Sequence, residues 1–269
     1  MSLTRMFAVY LRQLFLIRSN PTRLASIFVW LLVDILLWGF ISRYLGTLGQ
    51  STFGFVTVIL GAIILWEFLT RIQHGIMTSF LEDIWSQNFI NFFSSPLTIV
   101  EYLSGMMLNS FMTGIGAFIL GVGLAGVAFG YNMFTIGVML IPFMAVLFVF
   151  GIAMGVIASS MIFRLGPSAE WLGWPIPMVI SVFAGVYYPI ATLPVPMQII
   201  ARFVPPSYVF ESVRAVVGGS GFTGEIAKNL LLGGGLSCLY LVLAYYVFFS
   251  VYRRNLRTGA IARFSAESL

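Results

Sequence analysis

Hydrophobic and polar positions alternate along this chain on two length scales. Over residues 3–18 the period is helical. At 100° per residue Leu3, Met6, Phe7, Tyr10, Leu11, Leu14 and Ile17 share one face, while Arg5, Arg12 and Gln13 fall on the other. This pattern predicts an interfacial helix lying on a membrane surface, ended by Ser19-Asn20-Pro21. Beyond it the pattern coarsens into apolar runs of the length that crosses a bilayer, about 20 residues. Six spans are predicted, at roughly 23–44, 53–72, 99–130, 134–163, 171–193 and 229–252. The third and fourth exceed what a bilayer needs, so they tilt or protrude.

Two interruptions stand out. Between the second and third runs, Ser79 and Glu82 have capping-box spacing. Leu81, Trp85, Phe89, Phe92 and Phe93 then make an apolar stripe, with Asp83, Gln87 and Asn91 on another face and Pro96 as a stop. A short amphipathic helix over about 79–95 is expected. After the fifth run, Pro189, Pro194, Pro196, Pro205 and Pro206 divide a still hydrophobic stretch into helical pieces near 196–204 and 207–217. Each is too short to span. They lie on the outer surface or dip into the outer leaflet, packed against protein.

Composition decides what the runs are. The 269 residues are 59% hydrophobic and 9% charged, whereas soluble domains are about a quarter charged. An integral membrane protein must satisfy its backbone as helices or as a closed barrel. Barrel strands alternate over about 10 residues; continuous runs make this an all-α fold. Lone Cys238 excludes an intrachain disulfide, and lone His74 leaves little room for a His-based metal site. No catalytic constellation is evident, and the dispersed net charge of +5 forms no stripe for nucleic acid. Arginines interrupt the apolar pattern of residues 1–13, so no secretory leader is read there. With the N-terminus inside, ten basic residues lie inside and four outside, which puts both termini in the cytoplasm.

Within the spans, Asp34 sits near the middle of the first, and Glu67 and Arg71 are spaced to pair on one face of the second. Glu101 is near the inner end of the third. Gly126/Gly130 and Gly151/Gly155 have the spacing that lets helices approach closely. The sole lysine, Lys228, stands in Gly-Glu-Ile-Ala-Lys-Asn, so the chain holds no phosphate-binding loop.

An amphipathic N-terminal helix, six spans and a cytoplasmic segment "EDIWSQNFINFFSSPLT" resemble the permease subunits of ABC-2 type exporters. So do Gly185–Pro194 ("GVYYPIATLP") and Val204–Val216 ("VPPSYVFESVRAV"). The resemblance covers essentially the whole chain. Residues 1–20 would be the interfacial helix carrying Arg5 and Arg12, 21–252 the transmembrane domain, and 253–269 a basic cytoplasmic tail. It implies that the segment carrying Leu81, Glu82, Asp83, Trp85, Gln87 and Asn88 docks into a separate cytoplasmic ATPase. That segment lacks the Glu-x-Gly-Thr-Leu form common among relatives. An outer hairpin at about 189–219 is implied too, with Tyr187, Tyr188, Pro189, Pro205, Pro206, Glu211 and Arg214 in or beside it. The assembly would pair two permeases with two ATPases that bind Mg-ATP, in a bacterial or archaeal cytoplasmic membrane. Its cargo would be an amphipathic, lipid-like or drug-like molecule, or a glycan. The alternative is a proton-coupled secondary transporter using Asp34 and Glu67.

Overall fold

The computed structural model describes residues 2–48, 52–86, 88, 91–92 and 95–258, with side chains except at 21–24, 26–27, 48, 52–57 and 220. The architecture is all-α. In order come α1 (Leu3–Ser19), α2 (Pro21–Leu48), α3 (Thr52–Trp85), α4 (Ile99–Phe129) and α5 (Leu140–Leu165), the last entered through a 3-10 segment at Met133–Met139. Then follow α6 (Glu170–Gly173), α7 (Ile176–Ala184), α8 (Val195–Ala201), α9 (Pro205–Ala215) and α10 (Gly224–Thr258).

Among the described residues, four helical stretches are long and apolar enough to cross a membrane: Phe28–Thr47, Ile99–Phe129, Met133–Leu165 and Gly224–Thr258. These correspond to the first, third, fourth and sixth of the expected spans. α3 also has the length of a span, with Glu67, Arg71, Gln73 and His74 along its course. The expected span at 171–193 is not one helix. Pro175 and Pro177 restart the chain as α7, and Gly185 ends α7 with φ of 70°, a left-handed conformation that favours glycine.

Side-chain registers fix the directions. The α3–α4 pair is antiparallel, with Asp83 beside Tyr102 and Ile72 beside Gly114. Asp34 meets Glu67 where α2 descends past α3. α3, α5 and α10 run parallel: Ile72 faces Gly151, Ile76 faces Gly155, and Ser237 reaches the Val146 carbonyl. In lipid, helix association rests on close packing rather than on an apolar surplus. A methyl group on Gly155 would lie 2.9 Å from Ile76 Cβ and 3.0 Å from the Gln73 carbonyl. This glycine pair thus seals α5 on α3. The other pair does different work, since Gly130 is the left-handed cap of α4.

The α8–α9 hairpin dips into the bundle. At its tip the Phe203 carbonyl accepts from Tyr240 Oη at 3.1 Å, and the Tyr240 ring stands edge-on to Phe150. Phe150 is ten residues into α5, which puts the tip about 15 Å down from that end.

Candidate functional site

Three elements meet where α3 ends and α4 begins. Asp83 is fully buried; its Oδ1 lies 2.5 Å from Arg12 Nη1, and its Oδ2 accepts from Tyr102 Oη at 2.7 Å. The Arg12 guanidinium also sits 5.0 Å above the Phe92 ring. One turn away, buried Glu101 accepts from the Ser2 backbone at 2.5 Å and from the Thr98 backbone at 3.0 Å, with Arg5 at 3.6 Å. Arg5 also donates to the Pro96 carbonyl. Two acids thus clamp α1 to both ends of the α3–α4 connection. The clamp is tight at its centre: a methyl group on Gly105 would lie 2.6 Å from Val9 Cβ and 2.8 Å from the Met6 carbonyl.

The apolar face of α1 is left outward, as an interfacial helix requires, but the polar face meets protein where water was expected. Its polar face, with Gln13 fully buried and Arg12 on Asp83, turns into the protein. Leu3, Phe7 and Phe15 are exposed by 74%, 50% and 60%. Lying flat with basic residues toward water would leave Asp83 and Glu101 buried without their cations, a costly arrangement.

The expected helix start at Ser79 is absent. α3 runs through it to Trp85, and the buried Ser79 hydroxyl finds no hydrogen-bond partner among the described residues. Leu81 is buried, Glu82 half-buried and Trp85 exposed. Asn88 accepts from Asn91 at 3.1 Å. Gln87, Phe89 and Phe93 lie outside the described residues. Glu101 and Tyr102 were not read from sequence as partners of α1. Thr98-x-x-Glu101 is itself a capping box, seen here with both bonds formed, and was the signal available.

A second cluster lies halfway along the bundle. The Asp34 and Glu67 carboxyls meet, and Arg71, one turn below, interacts with Glu67. Beside them the Trp38 and Tyr187 rings stack at 4.4 Å. Here the chain between α7 and α8 is irregular, and Arg214 supplies its missing donors. Arg214 Nη2 reaches the carbonyls of Gly185 and Tyr188, the latter at 2.6 Å. Glu211 accepts from the Ile190 backbone at 2.8 Å and lies 3.5 Å from Arg214. Pro189 precedes a short 3-10 turn, and buried Pro205 and Pro206 open α9. From Glu67 the half-buried face of α3 continues through Arg71, His74, Thr78 and Glu82, with the Trp174 ring 4.6 Å from His74. Among the described residues, no three His, Cys, Asp or Glu side chains gather as metal ligands.

No protein-family profile matches the chain. Over 139 residues it is 24% identical to Nodulation protein J of Rhizobium leguminosarum bv. viciae. To Nodulation protein J of R. leguminosarum bv. trifolii it is 23% identical over the same length. Each match takes in 51% of this chain and 50% of the relative. The similarity is distant. The chain spans about half the length of these curated relatives, so the side chains above stand on their own geometry. Apolar helices with a charged, partly broken middle make this an integral membrane protein whose build fits transport.

Proposed function

We propose that the chain is the permease of an ATP-driven ABC-2 type exporter, paired with a second copy and served by two cytoplasmic ATPase subunits. The clamp of α1 onto the α3–α4 connection carries this reading. A partner that displaces the connection also displaces α1, and through α3 and α4 it tilts two crossing helices together. ATP drives the change only by binding more tightly to one arrangement than to the other. Trp85, exposed at the foot of α3, and half-buried Glu82 are the residues offered to the ATPase. Cargo, an amphipath of lipid-like, drug-like or glycan character, passes the Asp34–Glu67–Tyr187 junction.

The test is purification from native membranes in mild detergent, with a crosslinker placed by Trp85→Cys in a Cys238→Ser background. Recovery of a stoichiometric partner with a phosphate-binding loop, crosslinked at position 85, is the expected result. An intact permease with no such partner defeats the proposal.

One observation favours the second reading, a proton-coupled carrier. Two carboxylates side by side repel, and the meeting of Asp34 and Glu67 at mid-bundle is where a proton would relieve that repulsion. Such a carrier would transport without an ATPase and lose coupling in Asp34→Asn.

A further inference from the structure

The last turn of α10 carries Arg253, Arg254 and Arg257, all exposed, around a cleft of ≈ 350 Å³ that Ser250 and Thr258 complete. Asn255 holds this turn in place by donating to the Phe163 carbonyl at 2.5 Å, which brings exposed Arg164 at the foot of α5 to the same end. None of these four arginines has an acidic partner among the described residues. Arg253 rests on the Phe249 ring at 4.3 Å. Bare cations cost the fold nothing in water, but three of them around one cleft, with a fourth at the same end of the bundle, form a site for an anion.

The neighbouring surface says which anion. Immediately before the arginines α10 exposes Val242, Tyr245, Tyr246 and Val247, by 66%, 41%, 71% and 43%. An apolar strip leading into a basic cleft matches one molecule with both characters. The first charges after an apolar run also lie at the level of lipid headgroups. We propose that this cleft binds the phosphate of an anionic phospholipid, whose acyl chains lie along the exposed side of α10.

The full chain, purified in detergent, would be titrated with phosphatidylglycerol and with phosphatidylcholine, and the retained lipid counted by native mass spectrometry. A preference for phosphatidylglycerol on the order of tenfold is expected, because basic residues at the membrane surface attract anionic headgroups. It should collapse toward parity in Arg254→Gln/Arg257→Gln, which keeps Arg164 and Arg253 to hold the orientation. It should also collapse in Ser250→Trp, which fills the cleft and changes no charge. Equal retention of the two lipids by the unmodified chain overturns the proposal, as does a preference that survives in both variants. If millimolar inorganic phosphate displaces phosphatidylglycerol, the ligand is a soluble anion and the lipid assignment falls. It falls equally if the variants lose a co-purifying protein while the lipid preference stays.

Discussion

Asp83 shows how one side chain changes meaning with its surroundings. By pattern it belongs to the polar face of an amphipathic segment; in the fold it is the anion under Arg12 and the acceptor of Tyr102. Removing one member of a buried pair costs about 3–5 kcal/mol. Arg12→Ala should therefore lower the thermal midpoint in detergent sharply, and the exchange Arg12→Asp/Asp83→Arg should recover part of the loss. If Arg12→Ala unfolds like the parent protein, the pair is not the clamp. At the other cluster, Arg214→Met leaves the Gly185 and Tyr188 carbonyls without a donor. Each orphaned group costs about 1–3 kcal/mol, so the folded yield should drop, with Arg214→Lys intermediate. Neither role was legible from sequence. An acid looks the same whether it will face water or an arginine brought by another helix, and a carbonyl's need for a donor exists only once the backbone breaks.

Helices were easier to find than to orient. The period of α1, the apolar runs of α2, α4, α5 and α10, and the proline-divided hairpin were all visible as patterns. What the polar face of α1 meets was not, because amphipathicity gives two faces and does not say whether water or another helix covers the polar one. A cysteine in place of Phe7, in a Cys238→Ser background, should be quenched by lipid-borne quenchers and shielded from aqueous ones. The reverse result would put the apolar face of α1 in water and end the membrane-surface placement. Gly105→Val should pry α1 from α4, costing about 1–3 kcal/mol as overpacking, and in a working assembly it should lower transport more than ATP hydrolysis. The break at 171–193 was written in Pro175, Pro177 and Gly185. Continuous hydrophobicity concealed it, since a half-helix and a whole one are equally apolar.

At the scale of the molecule, the exporter reading predicts that Asp34→Asn leaves transport nearly intact whenever the protein still folds, whereas the proton-driven reading predicts its loss. A flux assay in vesicles with an imposed pH gradient separates the two. The junction around Asp34 was half visible: each ionisable residue could be named, but their meeting depended on α2 and α3 running antiparallel. The broken crossing has a wider consequence. Its lower part is fastened to α3, where Gln73 Nε2 donates to the Gly173 carbonyl at 3.2 Å. Its upper part, the hairpin, is fastened to α10, where Gly233 admits the Pro205 carbonyl and Tyr208. On the exporter reading, a crossing held at two heights gives a passage two points of closure where an unbroken helix would give one.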